Sequence, residues 1–135
     1  MNREILFKAK REDNGEWVEG YYVFCRKHHY ILPILTEAIG YDEREDEWIE
    51  IDPDTLCQHT GLTDKSSKKI WENDIVVEKH KGIVTVKYRV VFDLEEGAWM
   101  LETKSGARYG IGAVNQRNYE DCGNIFDNSK LLEVE

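Results

Sequence analysis

Ile83-Val84-Thr85-Val86-Lys87-Tyr88-Arg89-Val90-Val91-Phe92-Asp93 alternates apolar and polar side chains more cleanly than any other stretch of the chain. Successive residues of a strand point to opposite faces. Val84, Val86, Tyr88, Val90 and Phe92 therefore share one side, and Thr85, Lys87, Arg89 and Asp93 share the other. The spacing predicts a half-buried strand, long enough to bend, with those five side chains shielded together. Upstream, Asp74 to His80 reads as a strand that Lys81-Gly82 turns into the first. Downstream, Glu95-Glu96-Gly97 returns the chain through Ala98 to Thr103, where Trp99 and Leu101 are core candidates. A Gly-rich loop over Ser105 to Gly112 follows, then Ala113 to Glu120, which reads as a helical turn or a strand. A last strand lies near Asn124-Ile125-Phe126. Five short antiparallel strands with tight turns over about sixty residues have the pattern of a small SH3-like barrel.

Outward toward the N-terminus the signals are again β. Ile5 to Ala9 alternates, Asp13-Asn14-Gly15 interrupts it, and Trp17 to Phe24 resumes. Asn-Gly tolerates the positive φ of a hairpin turn, so these segments read as an antiparallel pair. A basic turn at Arg26 to His29 leads into Tyr30 to Leu35, where Pro33 calls for a sheet edge or a strand end and an edge leaves room for a partner strand. Glu47 to Ile51 is a further short strand, closed by the turn chemistry of Asp52-Pro53-Asp54-Thr55. Gln58 to Lys69 has no period of 2 or 3.6 and reads as an ordered loop. The expected fold class is α+β, mostly β. Antiparallel strands in a subdomain over residues 1–60 are joined by a connecting loop, 61–73, to an SH3-like barrel over 74–135.

At 135 residues the chain suits one domain or two small subdomains, with 41% hydrophobic and 11% aromatic residues to fill a core. Between Asp42 and Asp54 eight acidic residues face one Arg44, so most of the net charge of −9 lies there and the remainder is nearly balanced. That sign disfavours a non-specific grip on phosphate backbones and places nucleic acid below protein as a partner. Cys25, Cys57 and Cys122 form no Cys-x-x-Cys pair, and charge within the first four residues replaces a signal-type apolar stretch. A cytoplasmic setting without a membrane span is expected.

The central residues carry a family signal. Ile51-Asp52-Pro53-Asp54-Thr55, Gln58-His59-Thr60-Gly61-Leu62-Thr63-Asp64 and Lys69-Ile70-Trp71-Glu72-Asn73-Asp74-Ile75-Val76 together resemble the signature of the YopX family of phage and prophage proteins. Arg3 to Ala9 is similar to the family's start, and Gly123 to Asn128 with Leu131-Leu132 to its end. There are two departures: the family has Asn-Gly where this chain has Ser66-Ser67, and Gly where it has Asn73. Asn is the best substitute for Gly if that backbone is left-handed. The resemblance implies an α+β chain with an SH3-like C-terminal part, a phage or prophage origin in a bacterial host cell, and self-association. It implies no cofactor and no catalytic residues.

Thr55, Gln58, Thr60, Gly61, Asp64, Glu72 and Asp74 form the candidate binding set, because loops held between β units carry function. The same residues suit turn capping, with Thr55 and Thr60 as caps, Gly61 at positive φ, and Asp64 and Asp74 accepting backbone N–H groups. Glu72 and Asp74, two apart, point the same way and supply the carboxylates of a metal-dependent enzyme alternative. Cys25, His28, His29, Cys57 and His59 hold zinc-type donors at spacings unlike known zinc motifs. Lys87, Arg89, Arg108, Tyr109 and Arg117 suggest a basic, aromatic groove for single-stranded nucleic acid, and the run Asp42 to Asp54 an acidic mimic of DNA. The leading expectation is a non-enzymatic homo-oligomer that binds a host or phage protein.

Overall fold

The computed structural model of the chain describes residues 5–34, 48–111 and 119–133. Contacts gather into two units, Met1–His59 and Thr60–Glu135. Among the described residues both are mostly antiparallel strand, with one short helix.

In the first unit, β1 (Phe7–Lys10), β2 (Trp17–Cys25), β3 (His28–Pro33) and β4 (Ile49–Glu50) lie side by side in the order β4-β3-β2-β1. The start of β5 (Cys57–Thr63) adds beside β1, with Phe7 opposite Gln58 and Lys8 opposite Cys57. The Asn14-Gly15 turn forms as the sequence demands: Gly15 has φ of 74° and the Asn14 side chain accepts the Glu16 N–H at 2.9 Å. The next turn has no glycine, and Arg26 and Lys27 take positive φ of 52° and 68°. Pro33 ends β3, but β3 is no edge: β2 pairs one side, and β4 pairs the other through Tyr30–Glu50 and Ile31–Ile49. Leu35 and residues 42–47 of the acidic run lie outside the described residues. Beyond β4 the sheet curls back. Arg11 bridges Ile51, the Glu12 N–H donates to the Glu50 carbonyl at 3.1 Å and the Asp52 N–H to the Lys10 carbonyl at 2.9 Å. Ala9, Ile31 and Ile51 are buried within this curl, packed by Phe7, Val18, Tyr22 and Leu56.

The second unit contains the rest of β5, then β6 (Lys69–Trp71), β7 (Asp74–His80), β8 (Ile83–Asp93), β9 (Ala98–Glu102), β10 (Arg108–Gly110), β11 (Tyr119–Asn124) and one helical turn, α1 (Lys130–Glu133). Its main sheet runs β10-β9-β8-β7-β11. Three expectations change here. Residues 58–69 are not a loop but most of the β5–β6 hairpin, Arg108–Gly110 is a strand within the expected Gly-rich loop, and the last strand ends at Asn124 where the expected one began. Of the segment Ala113 to Glu120, residues 113–118 lie outside the described residues. No sheet among the described residues closes into a barrel.

β8 is the 11-residue strand its alternation predicted. Tyr88 and Val90 are buried and Val86 packs on the core, but Val84 and Phe92 are exposed. The strand reaches beyond the core at both ends, and Phe92 covers itself edge-on against Trp99 at 5.0 Å. Around the centre, Ile70, Val76, Leu101, Ile111 and Tyr119 complete the cluster. Each such side chain, fully buried, stabilises the unit by about 1.5–3 kcal/mol.

The two family departures both occupy left-handed backbone: Ser67 has φ of 65° and Asn73 of 69°. Asn73 is held there, since its side-chain oxygen accepts from Arg89 Nη2 at 2.9 Å, its N–H donates to the Val90 carbonyl and its carbonyl accepts the Ile125 N–H. Among the described residues Ser67 makes no comparable side-chain bond, so its Cβ is a plain cost of about 1 kcal/mol. Ser67→Gly is expected to raise stability by about 1 kcal/mol in urea unfolding, whereas Asn73→Gly gains nothing because the Arg89 bond is lost. Equal stabilisation by both would refute this account of the two turns.

Candidate functional site

Of the seven candidate residues, Thr55 and Gln58 belong to the first unit and the other five to the second. Asp52 caps a 3-10 turn over Pro53–Thr55, its carboxylate accepting the Asp54 N–H at 3.0 Å. Thr55 Oγ1 accepts the Lys10 N–H at 2.8 Å and donates to the Asp52 carbonyl at 2.7 Å, and Cys57 Sγ donates to the Thr55 carbonyl. This hydroxyl latches the turn to β1. Gln58 is a strand residue opposite Phe7.

In the second unit, Thr60 Oγ1 donates to the Ile70 carbonyl at 2.8 Å and accepts the Leu62 N–H at 3.1 Å, binding β5 to β6. Gly61 takes φ of 88° with open space where a Cβ would lie. Asp74 Oδ2 accepts the Trp71 N–H at 2.9 Å across the Glu72-Asn73 turn and is buried with it. Glu72 lies half-buried in that turn.

Asp64 is the centre of the arrangement. Its Oδ1 accepts the Ser66 N–H at 2.8 Å and the Lys68 N–H at 3.0 Å, while Oδ2 accepts the Asp121 N–H of β11 at 2.9 Å. The Lys65 N–H donates to the Tyr119 carbonyl at 3.1 Å, and Lys68 Nζ reaches the Asp121 carbonyl at 3.5 Å. Lys65 and Lys79 flank Glu120 at 3.5 and 2.7 Å. The β5–β6 turn thus covers the outer edge of β11. Burial works against the Asp64 charge, but the three backbone N–H donors and Lys68 outweigh it and hold the carboxyl below its ordinary range. Beside it, burial pushes the Tyr119 phenol up, and its hydroxyl has no hydrogen-bond partner among the described residues.

The other sequence-level constellations are taken apart by the fold. His28 and His29 are neighbours in a strand and so face opposite ways. His28 Nδ1 meets Glu50 Oε2 at 2.8 Å, His29 Nδ1 meets the Tyr22 hydroxyl, and Cys57 is buried on Thr55. Among the described residues no three His, Cys, Asp or Glu side chains gather where they could hold a metal ion. Of the basic groove, Arg89 is bound to Asn73, Arg108 is bound to Asp93 and Glu102 at 2.9 and 2.8 Å, and Lys87 Nζ donates to the Leu131 carbonyl. Arg117 lies outside the described residues. Among the described residues no helix is long and apolar enough to cross a membrane.

Two features escaped the sequence. A recess of 470 Å³ beside β8 is lined by Val84, Val86, Lys87, Thr103, Lys104 and Leu132, the last brought in by α1. The second is an aromatic surface on β2 and β3. On one face Tyr22 lies 5.6 Å from Phe7 and stacks on His29, and Phe24 covers His29 at 4.8 Å. On the other, Tyr30 bridges His28 and Trp48 at 6.3 and 5.7 Å, and Lys8 Nζ sits 4.6 Å above Trp17. The alternation of Tyr21 to Phe24 was legible, but not that ring density on both faces leaves aromatics uncovered.

Asp64→Ala strips the acceptor from three backbone N–H groups, one of them buried in β11, and is expected to cost about 3 kcal/mol. Because the folded carboxyl is shifted down, its contribution is complete above the unfolded pKa and disappears as pH falls through the lower folded value. Urea midpoints of wild type and Asp64→Ala are therefore expected to differ at neutral pH and converge in strong acid. A difference that persists unchanged there would exclude the ionised latch.

The family model described as YopX protein matches residues 6–133. No curated protein gives a significant match.

Proposed function

Because the chain belongs to the YopX family, we propose that it is a phage or prophage accessory protein, a non-enzymatic homo-oligomeric binding module of the host-cell cytoplasm. The aromatic surface of the first unit is the observation that carries this reading. On one face of the sheet Phe24 is 60% exposed, and on the other Tyr21 is 50% and Trp48 42%, all on or beside β2 to β4. Aromatic side chains with little rotamer freedom are what the buried centre of a protein interface uses, and monomeric surfaces rarely gather them. The polar residues that an enzyme would draw on support the same reading from the other side. Asp64, Asp74, Thr55 and Thr60 are engaged as acceptors or donors to the chain's own backbone. The proposal retains the SH3-like description of the second unit: β11 returns to pair with β7, the strand that opens the meander, as a five-stranded small barrel requires.

Light scattering at tens of micromolar is expected to give the mass of two or more chains, and a single-chain mass rejects the oligomeric part. For the binding part, immobilised wild type and the double variant Phe24→Ser/Trp48→Ser are exposed to host extract with and without phage induction. A protein retained by wild type and lost by the variant is the expected result. Identical retention by both shows that the aromatic surface is not the docking site.

A further inference from the structure

We propose that the outer edge of β10 is a self-pairing strand, by which two copies of the chain join antiparallel about a two-fold axis at Tyr109. This rests on the homo-oligomer reading above and assigns its contact.

The other sheet ends are capped. On β4, the Glu12 N–H takes the outward Glu50 carbonyl, and just beyond it the Asp52 N–H donates to the Lys10 carbonyl. On β6, the Asp74 carboxylate takes the Trp71 N–H. On β11, the Asp64 turn takes Tyr119 and Asp121. β10 differs. The Thr103 N–H bonds the Ala107 carbonyl and the Ile111 N–H the Trp99 carbonyl, and in an antiparallel ladder the bonded residues alternate. Ala107, Tyr109 and Ile111 therefore face β9, and the N–H and C=O groups of Arg108 and Gly110 face outward. Among the described residues they meet no further strand.

The sequence of this edge is self-complementary in one register only. Placed antiparallel with Tyr109 opposite Tyr109, Arg108 lies opposite Gly110 of the second copy, and the two such pairs exchange four backbone bonds. No like charges oppose one another, because Arg108 meets a glycine and is already neutralised by Asp93 and Glu102. Tyr109, 48% exposed and edge-on to Tyr88 at 6.4 Å, meets its own copy as an aromatic cross-strand pair. A parallel arrangement would set Arg108 against Arg108. Since the remaining edges are capped, pairing through β10 stops at two chains instead of growing into a filament.

The full chain is tested by sedimentation velocity and by amide hydrogen exchange over a range of concentrations. Gly110→Pro removes an outward N–H that makes no bond among the described residues, and Tyr109→Lys sets two cations opposite each other on the axis. The expected result is a wild-type dimer whose Arg108 and Gly110 amides gain protection as concentration rises. Each variant is expected to weaken the dimer about tenfold or more, with the Tyr109→Lys loss relieved by salt. If Gly110→Pro disturbs the fold, Tyr109→Lys and the exchange data decide alone. A wild-type oligomer that both variants leave intact overturns the β10 contact while the homo-oligomer stands. A wild type that stays a single chain at every concentration overturns both.

Discussion

One buried carboxylate sets the geometry of the second unit. Ionised Asp64 has left bulk water, a transfer that costs several kcal/mol unless donors replace the lost hydration. Ser66, Lys68 and Asp121 supply those donors from the backbone, so the charge persists and its bonds are of the stronger, charge-assisted kind. Because Asp121 lies 57 residues away, the same ion that closes a local turn also seats that turn on β11. The position of β11 then decides where Tyr119 enters the core against Tyr88. It also places the tight passage at Gly123, where a Cβ would collide with the Asn128 side chain.

The acidic composition follows the same logic. Asp52, Asp64, Asp74, Asp93 and Asp121 each accept a nearby backbone N–H at a turn or bulge. A chain of short antiparallel strands has many such turns, and several here lack glycine: Arg26, Lys27, Ser67 and Asn73 all hold positive φ. At Ser67 and Asn73 the acceptors Asp64 and Asp74 offset the conformational cost of a left-handed L-residue. These five carboxylates are therefore explained locally, turn by turn, without invoking a long-range field.

These facts also explain what could be read from residues alone. β8 and the turns at Asn14-Gly15, Lys81-Gly82 and Glu96-Gly97 were legible because alternation and glycine are local signals. The β5–β6 hairpin was not. Its strand Cys-Gln-His-Thr-Gly-Leu-Thr holds a single aliphatic side chain, and its turn takes a left-handed Ser67 where glycine would have marked it. β11 was displaced for a similar reason, since among Tyr119 to Asn124 only Tyr119 is a large buried hydrophobe and the neighbouring Ile125-Phe126 drew the assignment to itself. Of the candidate set, the capping roles of Thr55, Thr60, Asp64 and Asp74 could be inferred from residue type. The bond from Asp64 to β11 could not, because no local pattern encodes contact across such a separation.

What is left for other molecules is decided by what the fold has already used. Carboxylates and hydroxyls are bound into turns, and Arg89 and Arg108 are bound to Asn73, Asp93 and Glu102. Among the described residues, two kinds of group stand open to a partner. Aromatic rings on β2 and β3 favour a partner through desolvation, and the backbone N–H and C=O groups on β10 favour one through direction and register. The first contact tolerates varied geometry and the second demands one, so a chain built this way can hold its own copy in fixed register while its aromatic surface stays open to something else. That division is the physical basis of the binding role proposed above.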